Sequence, residues 1–556
     1  LIYRKQAAVE DARLRSDLVA LGNSVNFADF ARQFLAIWLA EPYSSGSMFA
    51  HTNLVRFMTV TASPTSMKEP KSKRSAKHET ANKEGKHMPA LKIKRIVCSA
   101  ANAAKQLLAL REQFSEQASI VSPQGRKLTQ AVFGESLPPY RVVQKICDDV
   151  HERGLSAVLH YTEQLDKVKL TAKTIRVSPE ELAEAHAAAD PEFLGTIRRV
   201  RDNIMQFQIG LLNKDALLPL SEHYEIQMRY RPLRRIGICI PGGAAAYPST
   251  LVMTVCPAQA AEVKDIVVVM PPTENGANNR DMLAVCHALG VKQVYRIGGA
   301  QAVAAMAYGI DGLPPVDMIV GPGNIFVALA KQYVYGKVAI DCLAGPSEVV
   351  IVADGSAQAD FVAADLIAQA EHSPGVAILV TWIPELLDSI EAALLKQLKN
   401  LDRGDLAQVS LNDFGAFVLA GDKDEAVSIV NDLAPEHLHI QTKDPESIAE
   451  RIDNAGAIFL GAYTPVAIGD YAAGPSHVLP TGGTARFSSG LTANDFRRRT
   501  SILNFTRNGL REIADDVLLM ANKEGLSGHA ASVTVRLKDT LPTPRPPKKP
   551  AVKAKK

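Results

Sequence analysis

In the stretch Asp432-Leu-Ala-Pro-Glu436-His437-Leu-His439 a carboxylate and an imidazole stand side by side, directly behind a proline. A carboxylate so placed can activate water, and an imidazole of ordinary pKa exchanges protons near neutrality. Behind Pro435 the pair is expected on a loop or a first helical turn, where both side chains can face a pocket. A surface loop with a solvated Glu436 and a half-buried His437 is the other reading of the same residues. Upstream, Gln369-Ala-Glu-His372 sets an amide and an imidazole three residues apart, on one face of an expected helix. Asp470, in Gly469-Asp-Tyr-Ala-Ala-Gly-Pro-Ser-His477, would be a third metal ligand. His529, in Glu524-Gly-Leu-Ser-Gly-His529, would be a fourth. Nitrogen and oxygen donors without a thiolate suit zinc or manganese, held less tightly than in a structural finger and with room left for substrate.

Such residues need a scaffold. The 556-residue chain is 47% hydrophobic, enough for two or three domains with their own cores. Its 62 Lys and Arg nearly balance 59 Asp and Glu, and a net charge of +3 implies no particular partner. The basic runs Lys68–Lys86 and Lys548–Lys556 lack interleaved aromatics, so no nucleic-acid groove is expected. Six cysteines without CxxC spacing read as reduced thiols of a cytoplasmic protein. No signal peptide is recognisable at the start, although a chain opening on Leu1 need not show its true start. The uncharged stretch Ile236–Ala261 is long enough to span a membrane. Pro241, Pro248, Pro257 and a Gly-Gly turn argue against a continuous helix there, so no membrane partner is expected.

Residues 1–87 read as a polar, largely disordered extension, helical in spacing only over its first 41 residues, with a fresh beginning at Met88. Residues 541–556 read as a basic disordered tail. The region 120–240 is mostly helical in pattern, and strands then alternate with helices. The strands are expected at 266–270, 293–297, 318–320, 349–353, 376–381, 417–419 and 457–460, with short helical segments after Arg486. Apolar strands flanked by helices mean parallel sheets covered on both faces, an α/β fold. Three glycine loops, Pro241-Gly-Gly-Ala244, Gly298-Gly-Ala-Gln301 and Gly321-Pro-Gly-Asn324, fall at the C-terminal ends of strands, where such sheets bind ligands. None is the dinucleotide fingerprint. Together they are compatible with a nucleotide or another phosphate-bearing ligand.

The chain resembles the histidinol dehydrogenases from about residue 130 to 536. The resemblance rests on Ile240-Pro-Gly-Gly-Ala-Ala-Ala-Tyr-Pro-Ser249, Arg296-Ile-Gly-Gly-Ala-Gln301, Val320-Gly-Pro-Gly-Asn324 and Ala344-Gly-Pro-Ser-Glu348. It continues through the Gln369, Pro435 and Gly469 stretches, His477-Val-Leu-Pro-Thr481 and Gly528-His529. It implies oxidation of L-histidinol to L-histidine in two NAD-dependent steps through L-histidinaldehyde, by a homodimer holding one Zn2+ per subunit. It implies two incomplete Rossmann-like domains with parallel sheets, plus small helical terminal domains. Carried onto this chain, Gln369, His372 and Asp470 would ligate zinc, completed by His529 of the partner subunit. Ser347, His437, Glu524 and His477 would contact substrate, as would the zinc ligands. Gln301, Asn324 and the position of Cys239 would contact NAD. His437 would exchange protons in both steps, and Glu436 would activate the water of the second.

The same likeness suggests an N-terminal small domain at 88–129 and a substrate and zinc domain from 130–239 with 345–488. It suggests an NAD domain at 240–344 and a C-terminal dimerisation domain at 489–540. The sequence departs from the family at Cys239, where a tyrosine is usual and weaker NAD binding follows. It departs also at Ser373, at Ser476 and in the glycine-poor stretch Ser221–Tyr230. The competing readings are a sister dehydrogenase of another polar alcohol, such as a sulfonated propanediol, and a non-catalytic zinc-binding scaffold. Glu524 and the Glu436–His437 pair favour histidinol over the first, and retention of every ligand disfavours the second.

Overall fold

A computed structural model describes residues 91–538 apart from 118–122, 136, 244, 344, 373 and 374. The expectations for residues 1–87, Met88, Ser373 and the 541–556 tail fall outside the described residues. In chain order the strands are β1 (Lys94–Val97), β2 (Ala216–Ser221), β3 (Tyr224–Pro232), β4 (Arg235–Cys239), β5 (Asp265–Met270), β6 (Gln293–Arg296) and β7 (Met318–Val320). They continue with β8 (Ala339–Ile340), β9 (Glu348–Ala353), β10 (Val376–Thr381), β11 (Ala416–Leu419), β12 (His437–Gln441), β13 (Ala457–Leu460) and β14 (Arg497–Phe505).

Two parallel sheets form, as the alternating pattern requires. One has the order β6-β5-β4-β7-β8, the other β1-β11-β10-β9-β12-β13. Each contains the doubly wound order in which the chain reverses direction beside its first strand, between β4 and β7 in one sheet and between β9 and β12 in the other. The strands are apolar on both faces because both faces are covered. In β5, Val268 and Met270 enter one core while Val267 and Val269 enter another. Ile351 and Val350 of β9 divide in the same way. A third, antiparallel sheet has the order β14-β3-β2.

Helices Pro139–Arg153 and Leu155–Tyr161 cover one face of the five-stranded sheet, and Pro179–Ala188 and Pro191–Gly210 the other. The segment 130–239 therefore does not join 345–488, as the sequence boundaries have it. Its helices are needed to bury the faces of the five-stranded sheet, β4 is that sheet's central strand, and β2 and β3 pair with β14. The six-stranded sheet instead takes β1 from the N-terminal segment as its edge. The region after Arg486 is also corrected. Residues 497–505 form a nine-residue strand, followed by a 17-residue helix, Arg507–Lys523, and the helix Ser527–Leu537. The uncharged stretch 236–261 folds as β4, a glycine turn and the buried helix Pro248–Ala260. Among the described residues no helix is long and apolar enough to cross a membrane. All six cysteines are free thiols.

Candidate active site

The two parallel sheets meet head to tail. The C-terminal ends of β4 and β7 open into the glycine loops at 240–243 and 321–324. Across from them lie the N-terminal ends of β9 and β12, which begin at Glu348 and His437. A cavity of about 580 Å³ fills the space between. Pro241, Tyr247, Pro322, Gly323, Asn324 and Ile325 line it from one side, and Ser347, His372, Glu436, His437, Asp470 and His477 from the other. The rule that ligands sit beyond the C-terminal strand ends thus describes the five-stranded sheet. The six-stranded sheet contributes through its N-terminal edge.

His437 opens the buried strand β12, and Glu436 immediately precedes it, so the pair lies on neither an exposed loop nor a helical turn. The chain reaches this point through a sharp reversal. Helix Lys423–Leu433 ends on Ala434 in the left-handed region (φ 49°), and Pro435 follows. Glu436 and His437 are 6% and 3% exposed, which removes the solvated-loop reading. Glu436 Oε2 accepts from Ser347 Oγ at 2.7 Å and from the Glu348 amide at 2.9 Å. Burial raises the Glu436 pKa, against the pull of His437 and these two donors.

His437 Nδ1 lies 3.0 Å from the Glu348 carbonyl. A carbonyl only accepts, so Nδ1 carries the hydrogen, and in the neutral ring Nε2 holds the free lone pair. Nε2 is buried without a hydrogen-bond partner, 3.6 Å from Asp470 Oδ1. Burial favours the uncharged ring. Glu436, 3.5 Å away, and Asp470 outweigh that and carry the pKa to about 9, a pull that a cation bound by Asp470 would relieve, returning the ring toward the neutral form in which Nε2 accepts a proton.

Of the suggested metal ligands, His372 and Asp470 share the cavity, while Gln369 is buried beside it at the end of helix Ala359–Ala370. The helix stops before His372, so the two do not share a helical face. A Cβ at Gly375 would lie 2.0 Å from the Gln369 carbonyl, so the chain at Gly375 packs against the helix end. The Gln369 Nε2 amide is buried with no partner. Burial lowers the His372 pKa and keeps its ring neutral. Asp470, although burial opposes it, is held below the ordinary carboxylate range by His437, His477 and His372. The amide oxygen of Gln369, a neutral imidazole and an ionised carboxylate are donors that fit a divalent cation of the zinc class. No group of three His, Cys, Asp or Glu side chains among the described residues has metal-holding geometry by itself. His477 Nδ1 donates to the Asp470 carbonyl at 3.0 Å. Glu524 and His529 are exposed on the C-terminal helices and line neither this cavity nor its neighbour.

That neighbour, about 610 Å³, lies at the switch point of the five-stranded sheet and shares Pro241, Tyr247 and Pro322–Ile325 with the first. Gln301, Asn324 and Cys239 line it. Gln301 Oε1 is buried and unpaired. Asn324 Oδ1 caps helix Ile325–Val334, accepting from the Phe326 amide at 3.0 Å. Burial pushes the Cys239 thiol up to about 12, leaving it neutral and inert.

The sequence profile of the histidinol dehydrogenases matches residues 138–537. The chain belongs to the histidinol dehydrogenase family. It is 57% identical over 438 residues to the histidinol dehydrogenase of Rhodopirellula baltica, an alignment covering 79% of this chain and 95% of that one. Against the Geobacillus kaustophilus family member the identity is 44%, over 71% and 93% of the two chains. The crystal structure of the histidinol dehydrogenase from Elizabethkingia anophelis superposes with a TM-score of 0.72 at 32% identity, covering 80% of this chain and 98% of that one.

Beside these family motif residues stand others that the sequence reading passed over. Lys331, in the apolar helix Ile325–Val334, and Asp341 form a buried ion pair, their side chains 2% and 3% exposed. Lys331 Nζ also donates to the Gly321 carbonyl at 3.1 Å, and Asp341 Oδ2 accepts from the Gly321 amide at 2.7 Å. The pair thereby holds both ends of the Gly321 peptide unit in the loop that walls both cavities. A lysine inside the run IFVALAKQYV was the available signal. Asp166, whose pKa burial raises to about 6, lines the second cavity beside Gln301. Glu348, the last residue of the Ala344–Glu348 motif, is a further one.

Proposed function

We propose that this chain oxidises L-histidinol to L-histidine through L-histidinaldehyde, passing two hydrides to two NAD molecules in turn. The observation that carries the reading is the unpaired Nε2 of His437, aimed from a fixed tautomer into a cavity that shares a wall with the switch-point cleft. A base there and a nicotinamide across that wall are the two acceptors an alcohol needs. In the first step His437 Nε2 takes the hydroxyl proton as hydride leaves the carbon. In the second, Glu436 takes a proton from water as it adds to the aldehyde while His437 returns its proton to the carbonyl oxygen, and the resulting hydrate gives up a hydride while His437 again takes the hydroxyl proton. Ser347 keeps the Glu436 carboxylate aimed. Gln301, Asn324 and the Cys239 wall would meet NAD.

Gln369, His372 and Asp470, with His529 of the partner subunit, would hold zinc. Bound there, zinc would anchor and orient the substrate, a contribution worth on the order of 7–11 kcal/mol in well-oriented model reactions. A homodimer accords with Glu524 and His529 lying away from their own chain's cavity. It accords also with the exposed Leu217, Leu218 and Leu503 on the antiparallel sheet and Leu519 and Met520 on the helix that follows it. Free cysteines accord with a cytoplasmic location.

Single-turnover NADH formation from histidinol and, separately, from histidinaldehyde tests the assignment. A general base contributes about 10²–10⁴-fold. Glu436→Gln should therefore slow aldehyde oxidation by that order and largely spare the first hydride transfer, whereas His437→Asn should slow both. Equal slowing of both steps by Glu436→Gln would remove Glu436 as the water-activating base.

A further inference from the structure

Glu348 begins β9 and is 1% exposed. Its main chain holds both residues of the pair, the amide donating to Glu436 Oε2 and the carbonyl accepting from His437 Nδ1. Its side chain does something different. Oε1 accepts from the Glu436 amide at 3.2 Å, and the Gly482 amide reaches the two carboxyl oxygens at 3.0 and 3.1 Å. Two buried carboxyls thus face each other, each receiving the other's backbone N–H.

A buried carboxyl beside another is a costly choice at the first residue of an apolar strand, where an aliphatic side chain would pack without penalty. What the carboxyl supplies is an acceptor at the one point where β12 has no regular partner. Pro435 offers no N–H, Ala434 is in the left-handed region, and ladder pairing with β9 begins only at His437 opposite Val349. Without that acceptor the Glu436 amide would be buried and unpaired and the Gly482 amide would lose its partner, and the Pro435–Glu436 peptide, from which the Glu436 side chain departs, would be held at its carbonyl end alone, by the Gly456 amide at 2.9 Å.

We infer that Glu348 is a positioning residue for the second oxidation, setting the aim of the Glu436 carboxylate by clamping its own amide and that of Gly482. The inference rests on Glu436 being the water-activating base. His437 is held by the main chain of Glu348, not by its side chain, so the first hydride transfer should be insensitive to the Glu348 side chain.

The experiment measures single-turnover NADH formation from histidinol and from histidinaldehyde in Glu348→Ala, Glu348→Gln, Glu436→Gln and the Glu348→Ala/Glu436→Gln double variant. A misplacement of 1 Å can cost on the order of 10²-fold, so Glu348→Ala should slow aldehyde oxidation by about 10–100-fold and leave the histidinol step near its native rate. Glu348→Gln keeps an amide oxygen in the Oε1 position and should recover most of the loss. The double variant should oxidise aldehyde no more slowly than Glu436→Gln alone, because one residue acts through the other.

Equal slowing of both steps by Glu348→Ala, failure of glutamine to recover activity, or multiplied losses in the double variant would each overturn the inference. If the alanine variant does not fold, Glu348→Asp, which withdraws the acceptor by one methylene, takes its place. A native rate of aldehyde oxidation in that variant would overturn the inference equally. Equal slowing by Glu436→Gln alone would remove the underlying reading of Glu436. An asymmetric Glu436→Gln with a symmetric Glu348→Ala would remove only the role given to Glu348.

Discussion

Replacing Lys331 by methionine keeps a side chain of similar length and removes one buried charge. Asp341 would then sit 3% exposed with only the Gly321 and Cys342 amides as donors, the latter at 2.7 Å. Removing one partner of a buried pair typically costs about 3–5 kcal/mol, because the remaining charge is stranded in a medium that solvates it poorly. The Gly321 peptide, held by Lys331 at its carbonyl and by Asp341 at its amide, would lose the first of these anchors. Urea unfolding followed by far-ultraviolet circular dichroism should therefore show Lys331→Met destabilised by about 3–5 kcal/mol relative to the native chain. Burial pulls the Lys331 pKa down, but the Asp341 charge more than reverses this and leaves it raised. A raised lysine contributes stability that is fully present below its unfolded pKa and lost only as pH climbs through the folded one. The deficit should accordingly be flat across the neutral range. The KM for NAD should rise as well, with the histidinol step at saturating NAD affected less. A deficit below about 1 kcal/mol, the size of an exposed ion pair, would refute the reasoning, since it would mean that water reaches the pair.

Burial, reinforced by the charge of Glu436, raises the Glu348 pKa to about 8 against the pull of its two amide donors. The folded chain therefore binds a proton more tightly than the unfolded one. Its stability relative to Glu348→Gln should fall as pH rises from the ordinary glutamate range through about 8; a difference that grows with pH would reverse the sign and sink the assignment. Gly321 has φ +100°, and a Cβ there would lie 2.3 Å from the Cys239 carbonyl. Gly321→Ala should thus distort the wall common to both cavities, with a large loss of NAD affinity by fluorescence titration. Elemental analysis should find about one zinc per native chain and little in His372→Ala, and full zinc content in the variant would rule His372 out as a ligand.

The strands were legible where apolar runs are short and bounded by turn residues. Val376–Thr381 and Ala457–Leu460 lie where the pattern puts them, because strands buried on both faces are continuously apolar. The helix Arg280–Ala288 was nearly so, bracketed by the Asn279 cap and by Gly290 at φ 72°. β14 was not legible. It opens on three consecutive arginines, shows no apolar alternation, is largely exposed, and exists as a strand because β3 pairs with it. The placement of Glu436 and His437 at a strand's beginning was hidden for a related reason. A proline before an acid suggests a loop or helix start, and only the six-stranded sheet's register shows that β12 begins one residue later. Chemical type was readable at Gln369, His372, Asp470 and His477. The ion pair of Lys331 and the clamp of Glu348 are facts of tertiary packing, visible in sequence only as charges where a core should be.

The edge strand β1 has a consequence for how the chain is made. It pairs with β11, and the Lys92 amide meets Asn412 across 320 residues of sequence. The five-stranded sheet is contiguous from 235 to 340, and the remaining strands of the larger sheet run from 348 to 460. At about 5–20 residues per second of synthesis, β1 would wait roughly 15–60 s for its neighbour to emerge. The antiparallel ribbon waits too, since Glu225 bonds Asn504, 279 residues downstream. For most of synthesis the two sheets can close their interiors while these margins stay open, and an open strand margin is a template for the wrong partner. The chain's exposure to misassembly therefore lies in the interval between the emergence of these strands and that of their partners, at the ends of its sheets and away from the cavity between them.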